Sequence, residues 1–162
     1  MHKFKIDIYL KVILLISLIS LISAFFIEYV LGHLPCNLCL IERIPYLISI
    51  ILILSKYIFY KKIKFIILLL ILTFAFSLIT SSYHFGIEQS FFEESAVCGI
   101  KDAGGVISKE ELLKQLNTKI VSCKDVTFRI LGFSLTAINI ILSLILLMIL
   151  CKIFTNYEKF KN

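Results

Sequence analysis

The residues in this chain best suited to chemistry are its cysteines, Cys36, Cys39, Cys98, Cys123 and Cys151. The first two form Cys36-Asn37-Leu38-Cys39. That spacing closes too small a ring to brace a chain and suits thiol–disulfide exchange instead. A bridge from Cys98 to Cys123 closes a loop of about 25 residues, worth roughly 3 kcal/mol as plain bracing, so this pair reads as either structural or exchanging. Four cysteines allow three pairings. Proximity favours Cys36 with Cys39, leaving Cys98 with Cys123. A Cys-x-x-Cys is also half a zinc site, but its remaining ligands would be Cys98 and Cys123. Those two lack the second short-spaced pair of a structural site, and no metal is expected.

Two further residues bear on the thiols. Arg43 follows Cys39 by one helical turn, so a helix already running at Cys39 puts the guanidinium on the face of that sulfur. A helix N-terminus and a fixed cation both favour a thiolate, which makes Cys39 the expected thiolate. The plainer alternative is an interfacial anchor paired with Glu42. His84, in Tyr83-His84-Phe85-Gly86-Ile87-Glu88, is either an interfacial residue without chemistry or a proton carrier near the thiols.

The elements that must position these groups are set by hydropathy. The chain has 162 residues, 59% hydrophobic and 17% charged, with a mean hydropathy of +0.97. That is more apolar surface than a soluble fold of this length hides, which excludes a soluble enzyme, a repeat array and a disordered chain. Four stretches approach the roughly 20 apolar residues needed to cross a bilayer, at about 12–31, 40–59, 63–82 and 130–150. Each must be helical, because a lipid-exposed backbone has to satisfy its own hydrogen bonds. The expectation is an all-α integral membrane protein, a four-transmembrane-helix bundle forming one membrane domain over 1–162, with loops at about 32–39 and 83–129 on one side. In the long loop, Ser108 with Glu111 makes a capping box, and Leu112, Leu113, Leu116 and Ile120 an apolar face, which predicts a short helix on the membrane surface.

The net charge of +6 reports topology and not nucleic acid. Lys3, Lys5, Lys11, Lys56, Lys61, Lys62, Lys64, Lys152, Lys159 and Lys161 gather at one side, against Asp7 and Glu158. The cysteine loops carry Arg43 and a long loop in which bases and acids balance. By the positive-inside rule both termini are cytoplasmic, and Cys36, Cys39, Cys98 and Cys123 face outward, where thiols oxidise. Cys151 falls at the inner end. The first span lacks a clear small-x-small cleavage site and reads as an uncleaved anchor.

Pro35-Cys36-Asn37-Leu38-Cys39-Leu40-Ile41-Glu42-Arg43, Tyr83-His84, and Cys123 leading through Phe128 and Arg129 into Leu131-Gly132-Phe133-Ser134 together resemble the disulfide bond formation protein B (DsbB) family, the thiol:quinone oxidoreductases of the bacterial inner membrane. Many members carry Trp where this chain has Phe128. The resemblance implies a relay. A periplasmic DsbA-like oxidase of thioredoxin fold is reoxidised by the Cys98–Cys123 disulfide through Cys98. Cys123 then passes the electrons to Cys36–Cys39, and Cys39 delivers them to a membrane quinone, ubiquinone or menaquinone, with Arg43 and His84 beside it. A nonenzymatic tetraspan protein with two static disulfides is the alternative. A carrier of reducing equivalents from the cytoplasm fits less well, since Cys151 alone makes no dithiol there.

Overall fold

The computed structural model describes residues 2–56, 58, 62–93, 98, 121–124, 129–130 and 132–157. Its elements are α1 (His2–Tyr29), α2 (Asn37–Ile41), α3 (Ile44–Ser55), α4 (Ile63–Glu88), the two-residue strands β1 (Arg129–Ile130) and β2 (Phe133–Ser134), and α5 (Leu135–Thr155). Four helical stretches, Ile6–Tyr29, Asn37–Ser55, Ile63–Glu88 and Leu135–Thr155, are long and apolar enough to cross a membrane. This is the expected four-helix membrane bundle. The helix expected around Ser108 to Ile120 lies outside the described residues.

Local chemistry moves the helix limits away from those read off hydropathy, most usefully near the cysteines. α1 stops short of Gly32, which takes a left-handed φ of 73°. The second span starts at the first Cys-x-x-Cys turn and is then interrupted. Pro45 has no N–H to give the Ile41 carbonyl and its ring crowds that turn, so Glu42 and Arg43 form a tight junction with Arg43 N donating to Leu40 O at 3.2 Å. α4 runs on past Ser82 to Glu88, so His84 and Glu88 share one face, a turn apart. The last span begins later than expected, because Arg129–Ile130 folds back against Phe133–Ser134 through a turn at Gly132, φ 86°. Ser134 then caps α5, its hydroxyl accepting from Ala137 N at 3.2 Å.

α1 packs on α3, α3 on α4, and α4 along α5. Leu10, Ile13, Ile53, Ile67, Leu70, Phe74, Leu146, Leu150 and Ile153 fill the centre. Ile22, Phe25, Leu72, Ile79 and Met148 point outward, as a lipid-facing surface requires. Small polar residues tie the helices together inside: Ser17 and Ser49 are 2.8 Å apart between α1 and α3, and Ser77 and Ser143 2.9 Å apart between α4 and α5. Apolar helices in lipid gain little from hydrophobicity against one another, so close packing of small residues and such bonds carry the association.

Ser77 tests this directly. Ser77→Ala removes one interhelical bond and is expected to cost about 0.6 kcal/mol, whereas Ser77→Leu forces bulk into a fully buried contact and costs about 1–3 kcal/mol. Reversible unfolding in mixed micelles measures both. Equal effects would mean that α4 and α5 are not closely packed at this level.

Candidate functional site

The site forms where α2 begins. Cys36 is the cap of that short helix, in extended conformation (φ −73°, ψ 167°), and its Sγ accepts the Cys39 backbone N–H at 3.2 Å. The extended backbone of Cys36 is that of a helix cap, set by the helix that starts at Asn37. On its other side the Cys36 sulfur meets His84 Nε2 at 3.5 Å. Cys36 Sγ, Cys39 Sγ and His84 Nε2 all lie within 4.8 Å of one another.

Buried carboxylates hold the imidazole. His84, 2% exposed, donates from Nδ1 to Glu42 Oε1 at 2.7 Å, which leaves Nε2 facing the thiol. The other oxygen of Glu42 accepts from Asn139 Nδ2 at 2.9 Å. The same amide donates to Ser81 Oγ at 2.7 Å, and its oxygen accepts from the Tyr46 hydroxyl. Thr136 donates to Glu88 and lies 3.3 Å from His84 Nδ1. A thiol, a base and a carboxylate thus stand in line, the arrangement that activates a cysteine.

The electrostatics agree for the residue just ahead of the second span. A hydrogen bond from the Cys39 thiol, helped by His84, outweighs burial and lowers the Cys36 thiol to about 5. The expectation that the helix start and Arg43 both act on Cys39 is not met by the geometry. The cap position belongs to Cys36, and the junction before Pro45 takes Arg43 off a continuous helical face with Cys39. Arg43 donates to Glu28 of α1, not to Glu42, and its Cζ lies 5.3 Å from the centre of the Phe25 ring.

Cys98 and Cys123 are bridged, with Cα atoms 5.4 Å apart, while Cys36 and Cys39 are thiols. The disulfide is buried in one cluster with Cys36, Leu38 and Ile87, and Cys39 and Ile41 pack on that cluster. A cleft of about 310 Å³ runs between α1 and α5 and reaches Cys39. Its walls are mainly apolar, with Ile19, Ala24, Ile27 and Leu142 among them, and Cys39, Glu42 and Arg43 line it with Asn139. Both residues thus meet the disulfide cluster, and Cys39 lines the cleft as well. Cys151, at the other end of α5, is exposed and far along the chain from this site.

The sequence reading brought forward all four clustered cysteines, His84 and Arg43, but missed much of what holds them. Hydropathy leaves Glu88 in the loop expected at about 83–129, and Glu28, Thr136 and Asn139 stand in no motif. A signal existed: each is a polar residue at the cysteine end of an otherwise apolar span, where lipid makes an unpaired polar group costly.

Cys36 should then be titratable by alkylation. In reduced protein its rate with a neutral alkylating agent is expected to rise through a midpoint near pH 5, well below the roughly 8.5 of an ordinary thiol, because the lowered thiol is ionised above that point and protonated below it. His84→Ala moves the midpoint up. A wild-type midpoint at the ordinary value would remove the His84 and Cys39 contacts as the cause.

Comparison with known proteins agrees with this geometry. The profile of the family described as disulfide bond formation protein DsbB matches residues 7–153. The chain is also 34% identical, over 143 residues, to a protein of Rickettsia prowazekii (strain Madrid E) described as uncharacterized protein RP370, covering 86% of this chain and 82% of the other. No solved structure matches. With its clustered cysteines at one end of a four-helix membrane bundle, the chain belongs to the DsbB family of disulfide bond formation proteins.

Proposed function

We propose that the protein is a thiol:quinone oxidoreductase of the bacterial inner membrane that reoxidises a periplasmic DsbA-like oxidase. The observation that carries this reading is the division of the Cys-x-x-Cys. Cys36 packs into the cluster with the Cys98–Cys123 disulfide, and Cys39 lines the apolar cleft. Electrons handed on by one pair thus have a short path to the second, and the second has a lipid-compatible place to give them up. The lysine bias supports an outward-facing cysteine end with both termini in the cytoplasm.

The exchanges balance as follows. A partner thiolate attacks Cys98, forming a mixed disulfide and freeing Cys123. The partner's second thiol resolves it, which leaves the partner oxidised and Cys98 and Cys123 reduced. Cys123 attacks a Cys36–Cys39 disulfide at Cys36, expelling the Cys39 thiolate. Closure of Cys98 on Cys123 restores the first bridge and leaves Cys36 and Cys39 as a dithiol. His84 Nε2 holds the proton of Cys36, and Glu42 keeps the imidazole aimed at it.

The cleft fits a quinone in being mainly apolar with a few polar side chains, Cys39, Arg43 and Asn139, in its lining. A bound quinone supplies an acceptor for two electrons and two protons. The residues that would hold it are Cys39 and Arg43. The guanidinium has five N–H donors, and its bond to Glu28 fixes its direction while leaving others for a carbonyl oxygen.

Purified protein with a reduced DsbA-like partner and a soluble quinone tests this, the expected result being quinone reduction that Cys36→Ser and Cys39→Ser abolish. Arg43→Ala removes a charge-assisted bond worth about 1.5 to 3 kcal/mol, so apparent quinone affinity falls roughly tenfold to a hundredfold. Arg43→Lys falls between, keeping the charge without the planar fork. Unchanged affinity and turnover in Arg43→Ala would reduce Arg43 to a structural tie with Glu28.

The order of exchange has its own test. With Cys123→Ser, Cys98 is a lone thiol; given the oxidised partner, it attacks the partner's disulfide and should accumulate a mixed disulfide that no second thiol of its own loop resolves, visible on non-reducing gels. Capture through Cys36 in place of Cys98 would reverse the assigned direction.

A further inference from the structure

The dithiol and its surroundings have a second chemistry that electron relay does not use. Cys36 Sγ, Cys39 Sγ and His84 Nε2 lie within 4.8 Å of one another, with Cys36 and His84 at 3.5 Å. In a tetrahedral zinc site, with Zn–S about 2.3 Å and Zn–N about 2.0–2.1 Å, ligand atoms sit roughly 3.5–3.8 Å apart. Small side-chain adjustments bring the three atoms to that spacing. The imidazole is already prepared as a ligand, because its other nitrogen donates to Glu42 at 2.7 Å, the carboxylate–histidine pairing found behind metal-bound histidines. A fourth donor is at hand in Glu88. Its Oε1 lies 4.0 Å from His84 Nε2, its side chain is 5% exposed, and its Oε2 is buried without a hydrogen-bond partner among the described residues. A buried carboxylate oxygen left unpaired is costly and marks a place where a cation is favoured.

We propose that the reduced Cys36–Cys39 pair, with His84 and Glu88, binds a thiophilic divalent cation, zinc being the best match, and that Glu42 positions His84 for it. Cys98 and Cys123, the partners that sequence spacing offered for such a site, are tied to each other, and α4 supplies the remaining ligands in their place. Binding displaces the Cys39 thiol proton and the proton that Cys36 shares with His84 Nε2, and transfers no electrons. Forming the Cys36–Cys39 disulfide removes both sulfur ligands and releases the ion. The metal therefore occupies only the dithiol state, and holding that state prevents its reoxidation. This regulatory consequence rests on the proposed relay; the binding site itself does not.

The experiment uses the full chain in detergent, carrying Cys98→Ser, Cys123→Ser and Cys151→Ser, reduced and freed of reductant. Cobalt(II) is the spectroscopic probe and zinc the competitor. One cobalt per chain is expected, with thiolate-to-cobalt absorption that zinc bleaches and that is absent after the pair is oxidised. Cys36→Ser abolishes it, and Glu42→Gln, which keeps the bulk of the pair, weakens binding roughly tenfold to a hundredfold. Absence of thiolate-to-cobalt absorption in the reduced chain, or equal affinity in Glu42→Gln and His84→Ala, overturns the site. In wild-type protein, micromolar zinc should slow quinone reduction and a chelator restore it; turnover insensitive to zinc overturns the regulatory role. The cobalt titration contains neither partner nor quinone. Cobalt binding without quinone reduction therefore counts against the relay alone, and quinone reduction without cobalt binding counts against the metal site alone.

Discussion

The pairing of His84 with Glu42 is the contact on which the rest of the cysteine end depends. It joins the junction of α2 and α3 to α4, and through Asn139 and Thr136 it reaches α5. Breaking either partner leaves a polar or charged group stranded at the end of an apolar bundle, where desolvation penalises it heavily. Each member is consequently satisfied from two or more sides. The ring is fixed in one orientation, and that orientation aims Nε2 at Cys36.

Pro45 has an equally large effect for a single residue. By interrupting the second span it separates a five-residue helix, whose cap is Cys36, from the longer α3 that carries the load of packing. The interruption leaves Arg43 against Glu28 and the Phe25 ring, which ties this lining residue of the cleft to α1. Cys36 is left against His84 of α4 and within the disulfide cluster, while Cys39, at the edge of that cluster, also lines the cleft. Two sulfurs separated by two residues thus acquire distinct partners, a requirement for any pair that receives electrons on one side and releases them on the other.

The remainder of the bundle supports this end without taking part. Leucine and isoleucine fill the centre, and paired serines bring the helices close. At the opposite end, Asp7 takes both Lys11, at 3.1 Å, and Lys56, and Lys64 stands 5.8 Å from the rings of Phe154 and Tyr157. Charge is thereby held at the ends of the helices and kept off the lipid-facing surface, which is the arrangement an apolar solvent imposes.

The sequence by itself determined the class of the molecule and its chemistry. Long apolar runs permit only helices in lipid, and a Cys-x-x-Cys beside a helix start, a distant cysteine pair, His84 and Arg43 are local patterns that one dimension displays. The pairing of Cys98 with Cys123 also followed from spacing. Tertiary structure decided which sulfur is activated and by what. Cys36 and not Cys39 receives the cap bond and the imidazole; Glu88 belongs to α4 and not to a loop; Arg43 answers Glu28 from another span; and Glu42 reads as the partner of a histidine 42 residues away. These are long-range choices among polar groups in an apolar bundle. Which donor meets which acceptor there is set by helix register and by where each helix stops, and a change of two or three residues in either reassigns every partner, whereas hydropathy averaged over a span leaves those limits uncertain by more than that.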